Sequence, residues 1–351
     1  MTLPTSPMQH PSAWRGADLR DRQDWIWRLD AAENEALFAA TRSARQKGLG
    51  IPSLTAADFP LGAMRDKVLQ MRDEVMDGRG FVLVKGFDID RYAIEDAALA
   101  YWGLGMHMGA GTAQNAQGDL LGHVTNLGVD YRTDPNVRGY QTRLRLPFHN
   151  DAMDIVGLLC VCTAQSGGES LLVSSTTLHN EVLRRRPDLL PVGYADFCLD
   201  RRGEAPPGKL PYYRGPMFNL SQGRLLCRYN RGYIESAQRF AEVPRLTQPQ
   251  IAFLDLMDDL CADPQLHLSM TLERGDMQFI SNYTTLHSRT EYQDGPDRRF
   301  QRYLLRLWLD TGLLTHLPPS YADRYEDMRL WQQNPRPPIF DHSAIREELA
   351  H

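Results

Sequence analysis

Segments with the pattern of short β-strands dominate residues 122 to 309, and this pattern limits the possible folds more than any other feature of the chain. The clearest segment is the apolar run Ile155–Cys162, which is typical of a buried strand. Similar short runs occur at 123–125, 170–173, 224–228, 268–272, 277–280 and 301–309. Helices do not alternate regularly with these strands, so a parallel α/β sheet is disfavoured. We therefore predict a mainly β fold with flanking helices and a double-stranded β-helix (jelly-roll, cupin-like) core.

Helical patterns come mostly before this region. Asp30 and Glu33 have the spacing of a capping box at the start of one helix, and a second helix is predicted over 64–76. Gly78 and Gly80 then end the helical pattern. We expect an N-terminal helical extension over 1–79 that packs on the core, a jelly-roll catalytic domain over 80–310 with an insertion around 200–235, and a C-terminal tail over 311–351.

Composition and charge exclude several classes of protein. The formal net charge of -5 gives no basic field that would collect nucleic acid. No apolar run approaches the roughly 20 residues that span a bilayer, and the N-terminus lacks the pattern of a secretory signal. The 5 cysteines are an odd number without a C-x-x-C pair. These features predict a reduced, cytoplasmic protein with a small-molecule partner, no nucleic acid and no membrane, and they leave a homo-oligomer open.

The first chemical signal is the sequence FHND at 148–151. On an extended strand, residues i and i+2 point to the same face and lie about 6.5 Å apart. His149 and Asp151 could therefore bind one metal ion while Asn150 points away. A histidine from a distant strand would complete three ligands on one face of an octahedron, with positions left open for O2 and a co-substrate. H-x-D is common by chance, so the context of a third ligand decides its meaning.

Among the 10 histidines, His287 has the most informative neighbours. It follows a predicted strand and turn and precedes an arginine-rich strand. His107 and His123 precede the H-x-D motif and could line the pocket instead.

Four stretches occur in the order typical of one enzyme family: FHND at 148–151, SGGES at 166–170, GDMQFISNYTTLHSRTEY at 275–292 and RYLLRLWL at 302–309. From about residue 80 to residue 309, the chain resembles the taurine dioxygenase/TfdA (TauD/TfdA) family of iron(II)- and 2-oxoglutarate-dependent dioxygenases. The resemblance implies that iron(II) is held by His149, Asp151 and His287, with 2-oxoglutarate and O2 as co-substrates. Asp151 also argues against a halogenase, because halide-adding enzymes of this type lack the carboxylate ligand.

The 5-carboxylate of 2-oxoglutarate needs a cationic partner, and arginine offers two parallel hydrogen bonds. Strand alternation places Arg298, Arg302 and Arg306 on one face, where an arginine in an apolar core would need an anionic partner. The resemblance assigns Arg302 to the 5-carboxylate and adds a hydrogen bond from Ser170. Arg298 is the alternative partner of the 5-carboxylate. Arg306 could bind a substrate anion or the 1-carboxylate of the co-substrate, or form a structural ion pair.

Two polar regions could supply the substrate pocket, namely the segment before the H-x-D motif and the insertion near residue 212. Their candidate residues are Asn126, Asp130, Arg138 and Arg143 in the first, and Tyr212, Tyr213, Arg228, Tyr229 and Arg231 in the second.

The predicted reaction is oxidation of a C–H bond of a small molecule, by hydroxylation, desaturation or cyclisation, with release of succinate and CO2. An anionic metabolite or a natural-product intermediate would suit the arginines. Two alternatives remain at this point. Two histidines and a carboxylate also describe a hydrolytic zinc site, although the chain has no H-E-x-x-H motif. A non-catalytic cupin-like binding protein is the other.

Overall fold

The structure is a computed structural model that describes residues 3–221 and 223–337. Its strands are β1 (Ile26–Arg28), β2 (Phe81–Lys85), β3 (Ala110–Gly111), β4 (Leu121–Thr125), β5 (Leu146–His149), β6 (Ile155–Cys162), β7 (Ser166–Gly167), β8 (Ser170–Ser174), β9 (Asp196–Asp200), β10 (Tyr212–Pro216), β11 (Phe218–Ser221), β12 (Arg224–Cys227), β13 (His267–Met270), β14 (Met277–Ser281), β15 (Thr285–Arg289), β16 (Tyr292–Gln293) and β17 (Tyr303–Asp310).

The α-helices are α1 (Gly16–Leu19), α2 (Ala31–Gln46), α3 (Met64–Met76), α4 (Ile94–Met106), α5 (Ser175–Arg185), α6 (Leu190–Gly193), α7 (Arg231–Ala237), α8 (Gln248–Ala262) and α9 (Pro319–Gln333). Short 3-10 helices lie at Ala56–Asp58, Ile89–Arg91, Gly139–Gln141 and Arg298–Phe300. In the described part of the chain, no helix combines the length and apolar character that crossing a membrane requires.

The strands form two main sheets. The larger has the order β1-β2-β14-β6-β17-β3, and β4 also pairs with β17; the smaller has the order β13-β8-β15-β5. The β1–β2 pair is parallel, whereas the neighbours of β6, β8 and β15 are all antiparallel. Most of these strands are distant in sequence from their neighbours, which is why no simple hairpin pattern is visible in the chain.

The space between the two sheets is a hydrophobic core. Leu304 and Trp308 of β17 pack in one cluster with Leu172 of β8 and Leu268 of β13. Side chains alternate between the two faces of a strand, so even-numbered residues of β17 point towards the smaller sheet. This alternation also directs Arg306 into the space between the sheets. The arrangement agrees with the predicted double-sheet jelly roll with flanking helices.

Helices cover the outer faces of both sheets. Leu37 of α2 and Val68 of α3 join the cluster on the outer face of the larger sheet, and both are fully buried. Leu178 of α5 and Phe253 of α8 do the same on the smaller sheet. Burial of each such side chain contributes about 1.5–3 kcal/mol, so the helices hold the two sheets between apolar layers.

Several local predictions can be compared with these elements. The capping box is confirmed, because Asp30 Oδ1 accepts from Glu33 N at 2.8 Å and the Glu33 carboxylate accepts from Asp30 N at 2.9 Å. The helix over Met64–Met76 is also confirmed. The prediction that Arg298 shares a strand with Arg302 is wrong, because a 3-10 helix occupies Arg298–Phe300 and β17 begins only at Tyr303.

The region predicted as a C-terminal tail contains helix α9. Residues 338–351 of that region lie outside the described part of the chain. The division of the chain near residues 80 and 310 stays a prediction.

Candidate active site

The two candidate histidine ligands face each other across neighbouring strands. In the antiparallel register of β5 and β15, His149 and His287 are direct partners, and their ring centroids lie 4.3 Å apart. The Nε2 atoms of His149 and His287 lie 3.9 and 4.0 Å from the nearest carboxylate oxygen of Asp151. One possible ligand atom from each residue falls within 4.8 Å of the other two. We call His149, Asp151 and His287 the ligand triad.

Asp151 lies just beyond the strand that carries His149. We predicted that His149 and Asp151 lie on one strand. Strand β5 ends at His149, so only the histidine is on the strand. The loop is fixed instead by side-chain hydrogen bonds: Asp151 N donates to Asn282 Oδ1 at 3.0 Å, and Asn150 Nδ2 donates to Thr285 O at 3.0 Å. These contacts attach the loop to the β14–β15 turn and to β15, the strand that bears His287.

Hydrogen bonds orient two members of the triad. His149 Nδ1 lies 2.8 Å from Pro147 O, a contact that requires the Nδ1–H tautomer and leaves the Nε2 lone pair available. Asp151 Oδ2 accepts from Trp308 Nε1 at 2.8 Å and from Arg306 Nη1 at 3.3 Å. Its Oδ1 atom is the one nearer His149 Nε2. None of these hydrogen bonds uses His149 Nε2 or Asp151 Oδ1, so both atoms remain available to a metal ion.

The charge states of the triad suit a metal ion. Burial lowers the pKa of His149, and burial together with the neighbouring His149 lowers the pKa of His287 to about 3. Both rings are therefore neutral, which is the form that binds a metal. Although burial opposes ionisation of Asp151, Arg306 and then the histidines hold its pKa below the ordinary value. Two neutral imidazoles and one carboxylate form the donor set of non-haem iron(II) oxygenases.

Arg302 is a buried cation beside the glycine turn of the SGGES stretch. Its guanidinium lies 5.3 Å from the centre of the Tyr292 ring, and its Nη1 atom is buried without a hydrogen-bond partner among the described residues. Burial lowers its pKa. Gly168 has φ +82°, and a Cβ there would lie 3.1 Å from Arg302 Nε, so glycine permits this close approach.

Ser170 and Arg289 lie opposite each other on β8 and β15. Ser170 Oγ donates to Gln278 Oε1 at 3.0 Å. The Arg289 guanidinium lies 4.7 Å from the centre of the same Tyr292 ring, and its Nη1 atom is also buried without a partner. Burial and the nearby Arg302 lower the pKa of Arg289 to about 10. Sequence reasoning did not select Arg289; its place two residues after His287 on the same strand was the available signal.

The other two arginines proposed for the co-substrate have different surroundings. Arg298 is half-buried, donates to Gln301 Oε1 at 2.8 Å, and lies 5.8 Å from the centre of the Tyr303 ring. Tyr303 belongs to the cluster on the outer face of the larger sheet. Arg306 Nε instead donates to Gln114 Oε1 at 2.7 Å, between the sheets and beside the triad.

A cavity of about 940 Å³, including its opening to solvent, leads to His149 and Asp151. Arg306 and Trp308 also line it, as do four arginines that we call the arginine wall: Arg138, Arg202, Arg228 and Arg324. Four tyrosines also line the cavity, namely Tyr131, Tyr140, Tyr213 and Tyr233.

Three of the predicted pocket residues line this cavity: Arg138, Tyr213 and Arg228. The remaining candidates do not line it: Asn126, Asp130, Arg143, Tyr212, Tyr229 and Arg231. Surface ion pairs account for two of these, since Asp130 pairs with Arg132 and Arg231 pairs with Asp258. The histidine alternatives also lie elsewhere: His107 contacts Phe59 O and His123 stacks on Tyr303.

Sequence reasoning missed two members of the arginine wall. Arg202 lies in the loop after β9, and Arg324 lies on α9 in the region predicted as a tail. Arg138 forms an ion pair with Glu204, and Arg324 forms one with the fully buried Asp327. No motif marks either missed position, because their burial depends on the packing of segments that are far apart in sequence.

Helix α9 connects the arginine wall to the loop of the ligand triad. Its Tyr325 hydroxyl donates to Asp154, which lies three residues after Asp151. Asp154 also accepts from the Tyr283 hydroxyl, and its Oδ2 atom accepts from Thr311 N at 2.8 Å. Helix α9 therefore helps to position both the triad loop and one wall of the cavity.

This combination of a jelly roll, a His-Asp-His triad and a buried arginine defines a class of non-haem iron oxygenases. The family model "Taurine catabolism dioxygenase TauD, TfdA family" matches residues 46–308. FR-33289 synthase of Streptomyces rubellomurinus (strain ATCC 31215) is 32% identical over 90% of this chain and 94% of its own length. Taurine hydroxylase-like protein SAT17 of Stachybotrys chartarum (strain CBS 109288 / IBT 7711) is 26% identical, with 93% and 88% covered.

Among solved structures, the non-haem iron oxygenase OrfP in complex with Fe and alpha-ketoglutaric acid is similar, with a TM-score of 0.61. It is 16% identical in sequence, and the match covers 82% of this chain and 94% of OrfP. The chain belongs to the TauD/TfdA family. It is a non-haem iron, 2-oxoglutarate-dependent oxygenase that uses iron(II), 2-oxoglutarate and O2, as the sequence predicted. Neither the hydrolase nor the non-catalytic binding alternative gains support from these relatives.

Proposed function

We propose that the ligand triad holds the iron(II) at which this oxygenase oxidises a C–H bond of a small molecule. The observation that carries the proposal is the convergence of one atom each from His149, Asp151 and His287 within 4.8 Å, at the end of a cavity. Iron bound there supplies O2 activation, coupled to conversion of 2-oxoglutarate to succinate and CO2. Hydroxylation, desaturation and cyclisation all begin with this chemistry.

The protein's own contribution is orientation. Pro147 O holds the His149 ring so that Nε2 faces the site. Trp308 Nε1 and Arg306 Nη1 occupy Asp151 Oδ2, which favours binding of the metal through Oδ1 alone. With His149, Asp151 and His287 as its protein ligands, the iron would have room left for 2-oxoglutarate and O2.

Arg302 is the proposed partner of the 2-oxoglutarate 5-carboxylate, with Ser170 beside it. A buried guanidinium without an acidic partner is unfavourable, and a bound carboxylate would remove that penalty. Position distinguishes the two candidates: Arg302 lies beside Gly168 of the SGGES stretch, whereas Arg298 lies beside Tyr303, which packs on the outer face of the larger sheet. Arg289 is a second cation near the same Tyr292 ring, and we place it beside the co-substrate as well.

The primary substrate is proposed to be a small molecule that enters through the cavity at His149 and Asp151. The cavity is open to solvent above the triad, and its lining combines aromatic rings with arginines, the kind of lining that small-molecule sites use. Its charge favours an anionic metabolite or natural-product intermediate over a cation.

The test is anaerobic addition of iron(II) and 2-oxoglutarate to the purified protein. We expect the weak visible charge-transfer band of chelated 2-oxoglutarate, together with one equivalent of bound iron. Addition of O2 should then release succinate. If folded, iron-loaded protein gives no such band, the assignment of the triad and of Arg302 is wrong.

A further inference from the structure

The triad loop, residues 150–154, carries the carboxylate ligand but contains no helix or strand. Strand β5 ends at His149 and β6 begins at Ile155. The sheet register that pairs His149 with His287 therefore does not extend to Asp151. A metal site needs its ligands held close to one productive geometry, and residues around the ligands usually provide this. Contacts other than a strand ladder must therefore fix the main chain of Asp151.

One buried residue, Asn282, spans this loop with three hydrogen bonds. Its Oδ1 atom accepts from Asp151 N at 3.0 Å, and its Nδ2 atom donates to Met153 O at 2.8 Å. Its main-chain N–H donates to Asp154 O at 2.9 Å. Asn282 is 2% exposed, so these bonds are shielded from water. A single residue thus fixes the main chain on both sides of the loop's centre.

The chemistry of these contacts requires the carboxamide of asparagine. The loop presents an N–H group at Asp151 and a carbonyl group at Met153, so its partner needs an acceptor and a donor on one short side chain. An aspartate would lack the donor, and a leucine would lack both groups. A glutamine has both groups, but its additional methylene would have to fit into a packed interior. The side chain of Asn282 therefore matches the loop in both length and polarity.

Asn282 belongs to the turn between β14 and β15, and this turn is itself fixed. Ser281 N donates to Gly80 O at 2.8 Å. On the other side, Tyr283 O accepts from Cys227 N at 2.8 Å. The residues before and after Asn282 are thus bonded to two separate parts of the chain. The triad loop takes its position from this turn.

The carboxylate of Asp151 has partners of its own. Its Oδ2 atom accepts from Trp308 Nε1 at 2.8 Å and from Arg306 Nη1 at 3.3 Å. These contacts hold one end of the side chain, whereas Asn282 holds the main chain from which the side chain extends. Fixed at both ends, Asp151 has little freedom to turn away from the histidines in the absence of metal.

We propose that Asn282 is a positioning residue of this oxygenase, which holds the triad loop so that Asp151 is in place before iron binds. The proposal rests on the proposed function, because it requires that the ligand triad holds the iron. Asn282 is not among the residues that line the cavity, so its effect reaches the metal through Asp151. The competing explanation is that Asn282 only stabilises the fold.

Asn34 of helix α2 provides a matched control for that explanation. Its Oδ1 atom accepts from Asp88 N at 2.9 Å, and its Nδ2 atom donates to Gly86 O at 2.8 Å. It is buried as well and does not line the cavity. Asn282→Ala and Asn34→Ala therefore remove the same groups from the same kind of site. We expect both to lower the midpoint of denaturant unfolding by similar amounts.

The two variants should differ at the metal site. In anaerobic titrations of folded, metal-free protein, Asn282→Ala should bind iron(II) about 10- to 100-fold more weakly than the wild type, whereas Asn34→Ala should bind it normally. The charge-transfer band with 2-oxoglutarate should move to shorter wavelength only in Asn282→Ala, because a loosely held carboxylate donates less electron density to iron. Wild-type iron affinity and band position in Asn282→Ala would leave a structural role alone and overturn the proposal.

A measurement on the wild type tests the same proposal without a variant. In the metal-free protein, the Asp151 amide should exchange with deuterium about 100-fold or more slowly than an unprotected amide, because its acceptor is buried. Fragmentation mass spectrometry of the peptide that contains the triad loop resolves this amide. Exchange at the unprotected rate would show that Asn282 does not hold the loop before iron binds. This result decides the matter if Asn282→Ala fails to fold.

The readouts also separate this proposal from the proposed function. Absence of the charge-transfer band in wild-type enzyme would reject the proposed function, and with it the role of Asn282 at iron, even if the Asp151 amide is protected. A normal band in the wild type, together with normal iron binding by Asn282→Ala, would reject only the role of Asn282.

Discussion

The ligand triad and the arginine wall border the same cavity but are built differently. His149 and His287 are direct partners on adjacent strands, and Asp151 follows within two residues. The arginine wall takes its residues from four separate segments: a 3-10 helix cap, the loop after β9, the residue that follows β12, and helix α9. Sheet register positions the two histidines and side-chain hydrogen bonds position Asp151, whereas ion pairs and aromatic contacts position the wall. Substitutions in the triad should therefore mainly reduce iron binding, whereas substitutions of the wall's ion-pair partners should mainly reduce stability.

The largest effect is expected at the triad. His287→Ala removes one of three ligands and should lower iron affinity and succinate formation by more than about 100-fold, beyond the range seen for supporting residues. The fold should persist, because a short side chain remains compatible with strand β15. Equilibrium iron binding and succinate release measure the effect.

His316→Ala is the matched control, since His316 is exposed and lies outside the cavity lining. It should bind iron as the wild type does. Retention of one tight equivalent of iron by His287→Ala would show that another residue completes the site, and the contrast between triad and wall would lose its basis.

The free energy of unfolding should fall more when an ion-pair partner of the arginine wall is replaced than when a triad residue is replaced. Asp327 is fully buried and forms ion pairs with both Arg201 and Arg324. Asp327→Ala leaves the buried Arg324 without a carboxylate and leaves Arg201 with Asp323 alone, and we expect a loss of about 3–5 kcal/mol in the free energy of unfolding. Denaturant unfolding monitored by circular dichroism measures this loss. At a temperature where the variant is folded, its iron affinity should be close to that of the wild type.

The neighbouring Glu326 offers a control on the same helix. Its side chain is 52% exposed, and its partner is Lys209. Glu326→Ala should change the free energy of unfolding by less than about 1 kcal/mol, as is usual for exposed pairs. If the two substitutions destabilise the protein equally, helix α9 does not depend on the buried ion pairs in the way that the structure indicates.

The same difference explains what could be predicted from sequence. The strand runs, the capping box and the position of His287 all depend on local patterns, and the structure contains each of them. The strand positions of Arg298 and Arg302 were harder to predict. A 3-10 helix delays the start of β17 until Tyr303, and no local pattern marked that turn.

The wall was only partly predictable for a physical reason. Arg138 was selected from the polar segment before the motif and Arg228 from the insertion near residue 212, but no sequence pattern pointed to Arg202 or Arg324. Arginine is usually exposed, so its burial at these positions follows from tertiary partners such as Asp327 and Tyr233. A single sequence does not display those partners.

The smallest of the expected effects is the loss of 2-oxoglutarate affinity on substitution of Arg302. Arg302→Lys keeps the positive charge but loses the two-pronged geometry, so 2-oxoglutarate affinity should fall about 10- to 100-fold, equivalent to about 1.4–2.7 kcal/mol. Arg298→Lys should change it by less than about 3-fold, because Arg298 lies beside Tyr303 on the other face of β17. Titration of the charge-transfer band with 2-oxoglutarate gives both values. A larger loss of 2-oxoglutarate affinity in Arg298→Lys than in Arg302→Lys would instead place the co-substrate on the outer face of the sheet, away from Ser170 and the ligand triad. Since Arg302 lies beside Gly168 with a buried, unpartnered nitrogen, we expect the lysine variant to lose affinity without losing iron.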